Sequence, residues 1–446
     1  MASDPRSRLA IRPLLAAFAL VLLSATSALA QRNRSEEPPI RDYTTKHFVV
    51  HTDLSQEEAK ELMLRLETML GYVAGYWGRP PSGVIECYVV KDLAKWPEGS
   101  LAPEGRVKVA EGAGITISQS VRIDNKFKAK AVVYAIADRG TPQHEAVHAY
   151  CSQTFGTTGP VWYAEGMAEI GQYWREGEVA VNAHPEVIRY LSNSEPKKLT
   201  DIVSPLQFTG DSWQNYAWRW ALCYLLANNP NYADRFRPLG LGLLAEQPVS
   251  FELTYGAMAQ EITFEYEFFI KHLAAGYRAD LTSWNWSTEF RPLQKTGRPI
   301  SSRIMAAGGW QPSSLEVTAG NEYAYDCSGS WKTSKGGPAL TADGDEKEGL
   351  GRLVAVVMKD FQLSEPFALG AEGKFIAPSD GRLYFRCNDR WNELADNTGR
   401  MTVKLTATGE TGSPTATQPV AELAPGSSSA PVKLGPRRPG RLLKIN

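Results

Sequence analysis

Histidine is scarce in this chain, with six among 446 residues. Cysteine is scarcer still at five, and an odd count leaves at least one thiol unpaired within the chain. Cys87, Cys151, Cys223, Cys327 and Cys387 lie too far apart for a zinc knuckle or a redox pair, so stability must come from burial rather than stapling. Neither sign of charge dominates. A formal net charge of −1 offers no basic excess for nucleic acid, and no nucleic-acid partner is expected. Long apolar runs are also lacking outside the N-terminus. There, Leu14 to Leu23 follows Arg6, Arg8 and Arg12 and precedes Ala28-Leu29-Ala30. This reads as a secretory signal peptide over 1–30, cut after Ala30, with a retained anchor as the alternative. The expectation is an exported protein, secreted or periplasmic, with no transmembrane segment in its mature form.

An apolar content of 43% and a charged content of 22% suit a globular protein of two or three domains. Residues 31–42 read as a polar lead-in. "KHFVVHT", "VIECYVVKD" (84–92) and "GAGITISQSVRI" (112–123) read as strands, with a Pro/Gly-rich loop before the third. Between the first two, Ala59, Leu62, Met63, Leu66, Met69, Leu70 and Val73 recur at three- and four-residue intervals, an amphipathic helix. Strand, helix, strand, strand and then helices imply a mixed sheet with helices packed on it. Thr141-Pro142 starts a helix, "FGTTGP" breaks it, and "VWYAEGMAEIGQYW" begins the next. Aromatic-rich helices follow around 213–228 and 261–273, their rings read as core packing.

The two helices after residue 141 carry the chemistry. His144 and His148 are four apart, about 40° around a helix axis, so their imidazoles project side by side as a zinc pair. Glu145 falls beside them, within reach of a water to be deprotonated. Glu165 follows sixteen residues after His148, and Glu169 one turn later. A turn between the helices would return Glu165 as third ligand. Glu169 could then accept a hydrogen bond from the far nitrogen of a ligating histidine. The competing reading is a pair of helices with ordinary surface or core polar residues. His47 and His51 share a strand face and receive no role; His184 and His272 lack spacing partners.

HEAVH followed by WYAEGMAE resembles the gluzincin metallopeptidases. The pattern over roughly 42–275 is similar to the peptidase-MA-like group of exported bacterial proteins. That resemblance implies a zincin-like domain (31–290) in which His144, His148 and Glu165 hold zinc and Glu145 is the general base. It also implies an oxyanion donor on a later segment, for which Tyr216 in "SWQNYAWRW" is the candidate, a packed helix aromatic being the alternative. In such folds an edge strand just before the zinc helix aligns a peptide, here Gly114 to Ser118.

From about residue 300 short strands alternate with Gly, Asp and Asn turns, an antiparallel β-sandwich. "WQPSSLEVTAGNEYAYDCSGSW" and "RLYFRCNDRWNELADNTGRMTVKL" resemble the galactophilic bacterial lectins and their wider family (300–410). That resemblance implies a Ca²⁺ site at Asp389, Asp396 and Asn397, completed by the carbonyls of Glu393 and Ser334. The competing reading is an Asx-rich turn with no ion. No histidine follows His272, so the lectins' sugar-contacting histidine is absent, and "TADGDEKEGLG" is acidic in its place. Cys327 and Cys387 are in phase with inward-facing neighbours, as a disulfide or as two buried thiols. Residues 411–446, rich in Pro, Ser, Gly and Ala, read as a disordered tail.

The fold class expected is α+β: a zincin-like domain with a mixed sheet and an HExxH helix, then an antiparallel sandwich. The function expected is hydrolysis of a peptide or protein substrate with Zn²⁺, beside a module for Ca²⁺ or glycan. Two other readings use the same residues: a non-catalytic surface-binding protein built on this scaffold, and a zinc hydrolase of a non-peptide amide.

Overall fold

The computed structural model describes residues 40–123, 126–208, 210–294, 297–412 and 419–426. The expected signal peptide, residues 31–39 and the C-terminal segment 427–446 lie outside the described residues. The fold is α+β, with one mixed and two largely antiparallel sheets.

The first half opens with β1 (Arg41–Thr44), β2 (Phe48–Thr52), α1 (Gln56–Trp77) and β3 (Ile85–Val90), followed by α2 (Pro103–Ala110), β4 (Gly114–Ile123) and β5 (Lys126–Ile136). Phe48 and Val50 of β2 alternate inward under α1. A capping box between Ser55 and Glu58 starts α1, and Gly78 in the left-handed conformation (φ 67°) ends it. All the expected apolar positions of α1 are buried. The sheet order is β1-β2-β3-β5-β4, with β2, β3 and β5 parallel and β1 and β4 antiparallel at the edges. Three elements differ from expectation. Arg41 and Asp42, the last residues of the lead-in, already pair in β1, the Pro/Gly-rich loop contains α2, and β5, not expected as a strand, lies between β3 and β4.

Helices α3 (Thr141–Phe155), α4 (Val161–Tyr173), α5 (Pro185–Ser192), α6 (Trp213–Asn228), α7 (Ala233–Leu244) and α8 (Ala259–Lys271) complete this half. The Trp77 indole donates to the Tyr163 hydroxyl at 2.8 Å, tying α1 to α4. Glu265 of α8 accepts from Asn229, Asn231, Tyr232 and Trp286, which fixes the chain leading into the second half.

That second half is a sandwich of β6 (Ile300–Met305), β7 (Gln311–Val317), β8 (Asn321–Lys332), β9 (Leu353–Lys359), β10 (Glu372–Ile376), β11 (Gly381–Cys387) and β12 (Thr398–Thr411). One sheet runs β10-β8-β12-β6; the other is built on β9-β11-β7 with two-residue strands at its margins. Strand β9 reads LVAVVM because both its faces are covered. Leu353, Ala355 and Val357 enter the sandwich core, while Val354, Val356 and Met358 join the helical core. Trp284 lies edge-on to Tyr384 at 4.7 Å and Phe268 edge-on to Trp391 at 5.0 Å, so aromatic packing is continuous between the halves.

All five cysteines are free thiols. Cys387 is buried as expected, whereas Cys327 is only half-buried, and the two are not joined. Of the segment read as a tail, residues 419–426 run along the seam between the halves. Pro419 bridges Phe367, Val420 N–H donates to the Pro366 carbonyl at 2.9 Å, and Glu422 meets His272 at 3.1 Å. A compositionally disordered segment is thus held by a few specific contacts that composition does not encode.

The shared aromatic core predicts that both halves unfold together. Calorimetry of the full chain should give one transition, and Trp284→Ala should lower its stability by about 3–5 kcal/mol. Two separated transitions in the wild-type protein would contradict a common core.

Candidate metal centre

Helix α3 begins at a turn organised by Asp138. Its carboxylate accepts from Gly140 N at 3.0 Å, from Thr141 N at 2.6 Å and from the Thr141 hydroxyl at 2.9 Å. The helix start is thus held by an aspartate three residues before Thr141, and Pro142 falls in the first turn. Gly156 in the left-handed conformation closes the helix, and Pro160 precedes α4. The two helices approach closely because Gly171 has no side chain. A Cβ there would stand 2.5 Å from Val147 Cγ2. Gly166, next to Glu165, does the same against α6, where a Cβ would meet Cys223 Sγ at 2.3 Å.

This packing brings together the expected residues of the first half. His144 Nε2 and His148 Nε2 are 3.2 Å apart, and Glu165 Oε2 is 3.3 Å from each. His144 and Glu165 are buried and His148 is half-buried. Among the described residues this is the one group of three His, Cys, Asp or Glu side chains whose donor atoms converge so closely. Ligands about 2.0–2.1 Å from a tetrahedral ion stand about 3.3–3.4 Å from one another. The triangle observed has the dimensions of one face of such a polyhedron, and the residues fit zinc in donor type and spacing.

Burial opposes ionisation of Glu165, but hydrogen bonding and charge from His144 and His148 hold its carboxyl far below the ordinary carboxylate range. Burial likewise opposes charge on His144, yet Glu165 and Glu169 push its pKa well above the ordinary imidazole value. The carboxylates thus favour positive charge beside them, which a divalent cation would supply without protons. Glu169 Oε1 lies 3.3 Å from His144 Nδ1, the position expected of a residue that orients the ring. Burial and the Glu169 carboxylate beside it push the Tyr173 phenol up, a neighbour that sequence reasoning missed.

Glu145 is buried, and its Oε2 accepts from the Thr116 hydroxyl at 2.7 Å. Thr116 belongs to β4, which lies at the sheet edge as anticipated. Gly114 of the same strand permits this proximity: a Cβ would be 2.8 Å from Glu145 Cγ. Neither Thr116 nor Gly114 carried a chemical signal in the sequence, because their contact with Glu145 spans about thirty residues. Tyr216 reaches the site through its ring, which stacks on His144 with centroids 6.0 Å apart and planes 13° from parallel. Its hydroxyl accepts from Gly210 N at 2.7 Å.

In the sandwich the three expected residues divide. Asp389 and Asn397 are buried, and Asp389 Oδ2 and Asn397 Oδ1 have no hydrogen-bond partner among the described residues. Burial pushes the Asp389 carboxyl up to about 6, against the opposing influence of Asn397 beside it. Two unpartnered oxygens on adjacent side chains suit a hard cation. Asp396 instead uses Oδ2 to accept from Lys335 N at 3.1 Å, holding the neighbouring loop.

No family model matches the sequence, and no curated protein does. Among solved structures the chain is similar to one described as "EclA N-terminal domain; PllA-like lectin", at 20% identity and a TM-score of 0.21. That match covers 24% of this chain and 94% of the other. A likeness of that strength says nothing about ligands. No helix among the described residues is long and apolar enough to cross a membrane.

If Glu169 orients His144, Glu169→Ala should weaken zinc binding by about tenfold or more, measured by competition with a chromophoric chelator. Unchanged affinity would make Glu169 a packing residue only.

Proposed function

We propose that this chain is an exported zinc-dependent peptidase of the gluzincin type, its sandwich serving as a calcium-dependent surface- or glycan-binding module. The observation that carries the first part is the near-equilateral triangle of His144, His148 and Glu165, with the Glu145 carboxylate held alongside by Thr116. A binding scaffold has no need of a buried carboxylate so held, which favours catalysis over the non-catalytic reading.

Bound at the triangle, zinc would polarise the scissile carbonyl and lower the pKa of water toward about 7. His144, His148 and Glu165 would hold it, and Glu169 keeps the His144 ring in the ligating orientation. Glu145 accepts a proton from the water that attacks the carbonyl carbon, then delivers it to the amine nitrogen as the C–N bond breaks. Thr116 occupies Oε2, leaving Oε1 for that transfer. The β4 edge offers backbone donors and acceptors along which an extended peptide aligns. Tyr216 is the proposed donor to the developing oxyanion. In the sandwich, Asp389 and Asn397 would supply oxygens to Ca²⁺, which would in turn present coordination positions to sugar hydroxyls.

Glu145→Gln should retain one zinc per chain but lose at least ~100-fold in turnover of a casein-type substrate. Tyr216→Phe in the same assay should lose about 100-fold if the hydroxyl stabilises the oxyanion, and little if only the ring matters. Near-full activity of Glu145→Gln would rule out the mechanism. For the module, millimolar Ca²⁺ should raise the melting temperature of the full chain, and Asp389→Ala should abolish the gain while sparing proteolysis. Identical melting with Ca²⁺ and with a calcium-selective chelator would leave the sandwich without an ion.

A further inference from the structure

The segment from Ser204 to Trp213, "SPLQFTGDSW", was assigned no chemistry by its sequence. Ten large apolar side chains are exposed among the described residues, and three of them, Leu206, Phe208 and Trp213, fall within these ten positions. Leu206 is 82% exposed and Phe208 74%; among the other exposed large apolar residues described, Leu253 alone, at 77%, reaches the lower of these values. Single exposed apolar residues need no explanation, but a cluster on one loop does.

On either side of Thr209 the loop is held in place. Arg219 of α6 is almost wholly buried and spreads its guanidinium beneath the loop. Its Nε donates to Gln207 Oε1 at 3.0 Å, and Nη1 and Nη2 grip the Asp211 carboxylate at 3.1 and 2.8 Å. Burying an arginine is costly unless its donors are satisfied, and here they are spent on a loop that displays leucine and phenylalanine to solvent. Trp213 is braced edge-on by Tyr190 at 5.1 Å.

The loop is also next to the metal centre. Gly210 N bonds the Tyr216 hydroxyl, and the Tyr216 ring lies on His144. Arg219 itself belongs to the helix that packs on α4 at Gly166, adjacent to Glu165. The geometry points to this loop as the apolar wall of the substrate cleft, with Leu206, Phe208 and Trp213 receiving a large apolar side chain of an extended peptide beside its scissile bond. This rests on the peptidase reading and names its substrate class. A membrane surface is the poorer occupant. The segment carries Asp211 and no lysine or arginine to meet headgroups, and anchoring requires no link to a metal ligand.

The test uses the full mature chain carrying Glu145→Gln and loaded with zinc, so that peptides bind without being cut. Fluorescence anisotropy compares two labelled hexapeptides that differ only in a central Leu-Phe or Ser-Ser pair. The Leu-Phe peptide should bind at least about tenfold more tightly. Adding Leu206→Ser and Phe208→Ser should shrink the difference to about twofold or less, with zinc content and melting temperature retained, since both side chains are exposed. Equal binding of the two peptides, binding of neither, or a preference that survives both serines overturns the inference. So does wild-type protein that sediments with phosphatidylcholine–phosphatidylglycerol vesicles only while Leu206 and Phe208 are present. If the preference and its loss are both seen but wild-type protein cleaves neither peptide, the loop assignment stands and the peptidase reading falls.

Discussion

Two imidazoles and a carboxylate that meet within 3.3 Å in a largely buried position are the constraint on which the rest of the first half depends. Such groups are expensive to bury apart and favourable only when their charges and lone pairs converge on one another or on a cation. Bringing Glu165 to the histidines requires that α3 end at Gly156, that the chain reverse by Pro160, and that α4 slide in close enough for Gly171 to touch Val147. The Gln143 amide then reaches the Gly171 carbonyl at 2.7 Å, and Trp77 secures α4 from the far side through Tyr163. Each of these is a packing feature whose consequence is electrostatic.

The second half leans on the first through a layer of aromatic rings. Met358 and Tyr384, on the sheet that faces the helices, pack with Trp284 and α8, and buried Arg386 lies over Trp391 at 3.5 Å from the ring centroid. Residues 419–426 close the seam: Glu422 faces His272 and Lys271, and Gly426 N donates to Asn392 Oδ1. A surface-binding module connected in this way would hold the metal centre at a set orientation to whatever the sandwich grips. That differs from a module on a flexible tether.

Much of this was legible in local pattern, because helices and zinc motifs are local. The apolar spacing of α1, the break at "FGTTGP" and the offset from His148 to Glu165 all concern neighbours on one or two helices. What was not legible depends on partners distant in sequence. Strand β5 begins "KFKAKA", whose alternating lysines conceal a strand that turns out to lie inside the sheet, and only the pairing with β3 and β4 reveals it. Thr116 and Gly114 become site residues because β4 passes over α3. The tail residues Val420 and Glu422 sit in a stretch whose composition suggests disorder. This stretch contacts Pro366, Phe367 and His272, and no spacing in the sequence points from His272 to Glu422.

The central claim is that two histidines and one glutamate form a zinc site open to a further ligand. X-ray absorption at the zinc edge, on the full mature chain loaded with one equivalent, tests it most directly. The account predicts a four-coordinate shell of nitrogen and oxygen at about 2.0–2.1 Å, with outer-shell scattering from two imidazoles and none from sulfur. A spectrum dominated by sulfur, or one of zinc surrounded by six waters, would contradict it.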